Sequence, residues 1–228
     1  MKPLRTIGIL LASVIFTASC GDNLGPDDDT VVPGGDEGGG GDNNGGGGDD
    51  EAGQGNAAAD AASAEGEAVG GALAAQAEGL SCDVARLGGI LLALDEGEIA
   101  QAQVALDVAI DPEVIDYAAL MRDAHTAHAA SVHTWLDAAW VSPVDTSIST
   151  ALRAEATAGV SMLQGTAREA IDFAYLRVQV KMHAAGDVLL ARLIQIASGH
   201  PQLVDFLRQT HDAVVHHRRE AETLLRAR

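Results

Sequence analysis

The sequence predicts an all-α protein: an antiparallel four-helix bundle with a short extra helix in the crossover, preceded by a disordered tail. Three observations carry this. Hydrophobic residues make up 47% of the 228 residues and aromatic residues only 3%, a balance that favours closely packed helices over sheets. From Asp83 onward apolar residues recur at alternating spacings of four and three, and no stretch alternates as a strand would. Residues 21–55, by contrast, hold 14 of the 26 glycines, and nothing in them buries enough apolar surface to offset chain entropy.

The helices are delimited by their punctuation. Asp111-Pro112 sets a capping Asp before a Pro at the first helical position. Ser142-Pro143 ends the segment that follows, and Ser198-Gly199-His200-Pro201 closes one helix and opens the next. Long helices are therefore expected at 84–109, 112–140, 166–198 and 201–226, with a shorter one at 146–160. The first seam runs Leu87, Leu91, Leu94, Glu98, Gln101, Ala105, Val108. The second runs Val114, Ala118, Met121, His125, His128, Val132, Trp135, Ala139, and the last Leu203, Leu207, Thr210, Val214, His217, Ala221, Leu224. The third long helix has a wider face, from Ile171 and Tyr175 through Val178 and Met182 to Leu189, with His183 beside it. Two tight hairpins joined by one longer crossover match a ferritin-like topology.

The net charge of −19 is unevenly spread. Fifteen acidic residues and no Lys or Arg lie between Gly21 and Ala85; the rest of the chain to its end carries 18 acidic and 12 basic residues. Such a surplus of carboxylates argues against a nucleic-acid partner, which needs Lys and Arg for phosphate.

The first 19 residues read as an export signal: Lys2 and Arg5 precede an apolar run from Ile7 to Phe16, too short to span a bilayer. Thr17-Ala18-Ser19-Cys20-Gly21 resembles a bacterial lipobox, which implies lipidation of Cys20. Residues 20–82 then form a disordered acidic tether, on the order of 40 Å in reach, and residues 83–228 the bundle domain. Residues 56–80, rich in Ala, Glu and Gly, have the composition of a nascent helix. The chain has two cysteines, so with Cys20 acylated no second thiol is left for a disulfide to Cys82, and no structural disulfide is expected. The implied location is the cell envelope, on the outer membrane or the periplasmic face of the inner one. The implied partner is the membrane itself, with an envelope protein as a second.

Chemistry enters where the seams are interrupted. Each long helix carries an ionisable group at an apolar position: Glu98, His125 with His128, His183, and His217. Counting from the tight turns puts Glu98 level with His125, and His183 level with His217. Buried groups of this kind need partners. Either they close a hydrogen-bond network, or they hold a metal, since imidazole with carboxylate suits Fe, Zn or Cu.

At these positions the chain resembles a known family. Glu98-Ile99-Ala100, Asp111-Pro112-Glu113-Val114 with Tyr117 and Met121, His125-Thr126, Ile171-Asp172-Phe173-Ala174-Tyr175 with His183, and Pro201 through Phe206 to His217 resemble the family called domain of unknown function 4142. The resemblance implies an exported bacterial protein, often described as an outer-membrane protein, with a ferritin-like bundle. It also places Glu98, His125, His183 and His217 among the family's recurring polar positions. The family usually has Asp before each of the two middle histidines, where this chain has Ala124 and Met182.

A di-iron oxidase site requires several Glu residues and Glu-x-x-His pairs. Here Arg122, Val180 and Val214 stand three residues before the histidines, so that reading is poor. No nucleophile motif or phosphate loop occurs, and no catalytic residue is assigned. The leading expectation is a non-enzymatic, lipid-anchored envelope protein with a His/Glu polar layer, whose activity is metal binding or partner binding, the sequence not choosing between the two. The alternatives are a periplasmic metal-dependent sensor, store or oxidase, and a structural or interaction module.

Overall fold

A computed structural model describes residues 50–228 apart from Ser81. The export signal, Cys20 and the first part of the tether lie outside the described residues. The described chain is all-helical: α1 (Asp50–Gln76), α2 (Val84–Val108), α3 (Pro112–Ala138), α4 (Ser147–Gly165), α5 (Ile171–Ile196) and α6 (Pro201–Arg226), with 3-10 turns at Ala77–Gly79 and Arg168–Ala170.

Local chemistry sets the boundaries. The Asp83 carboxylate accepts from Ala85 N at 2.9 Å, and that of Asp111 from Glu113 N at 2.8 Å, each satisfying a donor that the first turn leaves orphaned. At α4 the Thr146 hydroxyl accepts from Ser149 N while the Ser149 hydroxyl accepts from Thr146 N, a reciprocal cap. The expected bounds of α2, α3 and α6 fall within two residues of those observed. The expected third long helix begins five residues late, because a 3-10 turn occupies residues 168–170.

Asp95, His125 and His128 join α2 to α3, and His211 and Arg218 join α6 to Asp187 of α5, so both hairpins are antiparallel. Glu98 and Gln101 of α2 reach Gln179 of α5, and Tyr117 and His128 of α3 reach α6. A single bundle results, with the polar groups at one level. Apolar clusters lie on both sides of that level, one containing Leu87, Leu91, Leu136, Leu189 and Leu207, the other Ala105, Met121, Tyr175 and Leu176.

Residues 50–79 correct the expectation of a disordered tether up to residue 82. They are helical, and α1 lies along α5 and α6. Its buried positions are Gly55, Ala59, Ala62, Gly66, Gly70 and Leu73, continued by Ala77 in the 3-10 turn, a stripe spaced by fours and threes but built, apart from Leu73, from small residues. A side chain at Gly66 would overlap the Lys181 carbonyl oxygen, and a Cβ at Gly70 would come within 2.6 Å of the Ala185 oxygen. Close backbone approach, rather than large apolar side chains, therefore seats this helix. Its acidic residues complete the contact: Asp60 pairs with Arg226 at 2.7 Å and Glu67 with Arg218 at 2.8 Å.

Trp135 packs in the core as expected from its seam position, but Trp140 does not. Trp140 sits beyond the end of α3 with φ 56° and is 94% exposed. Cys82 packs, partly buried, against the apolar cluster.

Candidate metal centre

The polar layer is assembled by four helices, each contributing from its seam. His125 comes from α3, His183 from α5 and His217 from α6, all buried. Their rings are mutual neighbours, with centroids 5.8 Å apart for His125 and His183, 5.6 Å for His125 and His217, and 5.5 Å for His183 and His217. The two hairpins thus share one level, which turn counting within each hairpin could not establish.

Each ring has one nitrogen without a hydrogen-bond partner among the described residues: His125 Nε2, His183 Nε2 and His217 Nδ1. Opposite nitrogens on two of the rings are engaged. His125 Nδ1 donates to Asp95 Oδ1 at 2.9 Å, and His183 Nδ1 donates to the Gln179 carbonyl at 2.9 Å. Each of the three residues offers one ring nitrogen such that all three lie within 4.8 Å of one another. Buried nitrogen atoms without partners are costly, and a buried cluster of three histidines is compatible with holding a metal ion.

Electrostatics divide the three rings. Burial pushes His183 down to about 3, with the neighbouring His125 charge adding to the effect. Burial likewise pushes His217 down to about 2, helped by His183 and His125. Burial also acts on His125 in the lowering direction, but the hydrogen bond to Asp95 and the carboxylates of Glu98 and Asp95 outweigh it, so its net shift is upward. His183 and His217 are consequently neutral across the ordinary pH range, the state in which imidazole binds metal.

The family model described as Domain of unknown function (DUF4142) matches residues 70–224, more than half of the chain. The chain belongs to this family. No curated protein matches this DUF4142 chain, and no solved structure does. The match begins inside α1, so the helix missed from the sequence pattern overlaps the family's domain.

Among the five residues singled out in this DUF4142 domain, three meet as described. His128 is near them but turned away: its Nδ1 lies 2.8 Å from Asp95 Oδ2 and its Nε2 lies 2.9 Å from Thr210 Oγ1. Glu98 is 4% exposed and accepts from Gln179 Nε2 at 2.7 Å; its other oxygen stands 3.9 Å from His183 Nδ1. Burial raises the Glu98 carboxyl above the ordinary carboxylate range, partly opposed by His125 and Gln179. His211 pairs with Asp187 at 2.7 Å, and His216 is exposed.

Two polar groups escaped the sequence pattern. Asp95 is 1% exposed and holds both His125 and His128, although the seam count placed Leu94 at that level. Gln179 ties Glu98 to Gln101 across α2 and α5. A signal for Asp95 existed in its spacing: it lies three residues before Glu98, on the same helical face.

Proposed function

We propose that this protein is a lipid-anchored bacterial envelope protein whose ferritin-like bundle binds one transition-metal ion through His125, His183 and His217. The observations that carry the reading are three buried rings that each offer a nitrogen within 4.8 Å of the others, and on each ring one buried nitrogen with no hydrogen-bond partner among the described residues.

The donor chemistry fits. Neutral imidazole suits Zn, Cu, Fe and Ni, and three imidazoles make a recognised protein set. At about 2.1 Å per metal–nitrogen bond in tetrahedral geometry, two ligands of one ion stand about 3.4 Å apart, so side-chain adjustments of up to about 1.4 Å close the 4.8 Å limit of the cluster. His183 and His217, held at about 3 and about 2, need lose no proton on binding at neutral pH. A bound ion would supply positive charge and Lewis acidity in a water-poor layer. The carboxylate-rich pattern of a di-iron oxidase is absent from the three-nitrogen group, which favours binding, storage or sensing over oxidation.

Metal analysis tests this. The protein, purified without a histidine tag, is titrated with Zn(II) and Co(II), and bound metal is measured per chain. One ion per chain is expected, with a Co(II) ligand-field spectrum of nitrogen coordination. His183→Gln and His217→Gln should each weaken binding by at least tenfold. Substoichiometric metal that is equal in all three proteins overturns the reading and leaves the layer as a structural network.

A further inference from the structure

Outside the three-nitrogen group, the most unusual buried charge is Asp95. Its carboxylate is 1% exposed and is bonded by two histidines of the neighbouring helix. Oδ1 accepts from His125 Nδ1 at 2.9 Å, while His128 Nδ1 lies 3.0 Å from Oδ1 and 2.8 Å from Oδ2. On its far side His128 meets the Thr210 hydroxyl of α6, which donates to the Phe206 carbonyl at 3.1 Å. The His128 ring stacks on Phe206, centroids 5.6 Å apart and planes at 17°, and Phe206 stacks in turn on Trp135. One carboxylate on α2 therefore reaches a ring of the metal group directly, and α6 through His128.

The consequence follows from the valence of imidazole. A neutral ring has one N–H and one lone pair, and whichever nitrogen finds an acceptor keeps the proton. A carboxylate accepts and cannot donate, so Asp95 fixes the His125 proton on Nδ1 and frees the lone pair of Nε2. The Gln179 carbonyl, which also accepts only, does the same for His183. His128 has the same carboxylate on one side but a hydroxyl on the other, so neither of its nitrogens is left for a cation.

We propose that Asp95 is the positioning residue of the metal centre: it holds His125 in the tautomer whose Nε2 lone pair joins those of His183 and His217, and it holds His128 as a latch between α3 and α6. This rests on the metal reading above. The arrangement is the carboxylate–histidine–metal pattern in which an outer carboxylate orients a ligand, and loss of such a partner weakens metal affinity by about 10- to 100-fold.

Asp95→Asn is the informative change, because an amide can donate as well as accept and no longer dictates which nitrogen is protonated. Two readouts are taken on full-length protein. Ring-nitrogen NMR of metal-free protein, at alkaline pH where His125 is neutral, should show Nδ1–H in the wild type and a mixed or Nε2–H ring in Asp95→Asn. Zn(II) titration should show a dissociation constant about 10- to 100-fold higher in Asp95→Asn. Asp95→Glu keeps an acceptor and should keep the Nδ1–H tautomer, which separates positioning from loss of fold if the Asn variant is unstable. An unchanged tautomer or an unchanged dissociation constant in Asp95→Asn overturns the role of Asp95 alone. Failure of the wild type to bind Zn(II), with the tautomer shift present, instead overturns the metal reading and with it the positioning of a metal ligand.

Discussion

The three histidines and Glu98 stand out in the sequence because an ionisable side chain at a seam position contradicts the apolar pattern around it. Asp95 did not stand out, because it follows Leu94, and heptad counting assigns one residue per turn to the seam whereas the helix buries a wider face. Gln179 was hidden for the same reason: α5 buries much of its circumference, and a polar residue within so broad a face breaks no stripe. What a residue does in the layer was also not legible. Whether a nitrogen is bonded or bare depends on a partner from another helix, as the contrast between His125 and His128 shows.

The same rings make stability depend on pH in a definite direction. His183 and His217 have folded-state values of about 3 and about 2, against about 6.5 for the free side chain. Between those limits the unfolded chain takes up protons that the folded chain refuses, so these groups' contribution is intact above about 6.5 and is lost as pH falls toward 3. His125 and Glu98 are shifted upward and act in the opposite direction. Comparison with His183→Gln therefore reports on this ring together with the part of the His217 shift that it sets. In metal-free protein, denaturant titrations between pH 4 and 6 should show a dependence of unfolding free energy on pH that is smaller in the variant by about one proton. Identical slopes would mean that His183 is protonated in the folded state.

At the scale of elements, five of the six helices were legible from caps and periodicity, and α1 only as the composition of a nascent helix over residues 56–80. Its stripe has the right spacing, but Ala and Gly carry little hydrophobicity, so the pattern has almost no contrast with the exposed Ala, Gly and Glu around it. The information lies in shape: Gly66 and Gly70 let α1 approach the backbone of α5. This makes a paired prediction. Gly66→Ala sets a methyl group against the Lys181 carbonyl oxygen, which cannot move without distorting α5, and should cost about 1–3 kcal/mol. Gly71→Ala, where nothing lies within 4 Å, should be neutral or stabilise by up to about 1 kcal/mol through helix propensity. At roughly 2–4 °C per kcal/mol for a protein of this size, Gly66→Ala should lower Tm while Gly71→Ala leaves it unchanged or raises it. Parallel small increases in both would show that α1 is not held against α5.

At the scale of the whole molecule, the net charge of −19 is less a property of a solvated tail than the sequence suggested. Of the 15 acidic residues between Gly21 and Ala85, seven lie at or beyond Asp50, and Asp60, Glu65 and Glu67 pair with Arg226, Arg177 and Arg218 of the bundle. Part of that charge belongs to helix packing, where exposed pairs contribute little individually but fix which face α1 presents. Eight acidic residues remain between Gly21 and Asp49, and like charges there would be repelled by an anionic lipid surface. The anchor proposed above would have to act against that repulsion. No helix among the described residues is long and apolar enough to cross a membrane, and the Cys20 of the proposed anchor lies outside the described residues. Stable attachment by acyl chains takes more than one, and a lipidated N-terminal Cys can carry them all. In detergent phase separation of cells expressing the full chain, the wild type should enter the detergent phase and Cys20→Ser the aqueous phase, with Zn(II) affinity equal in the two. Wild-type protein in the aqueous phase would remove the anchor while leaving the histidine centre untouched, because the described bundle places all three ring nitrogens without any residue before Asp50.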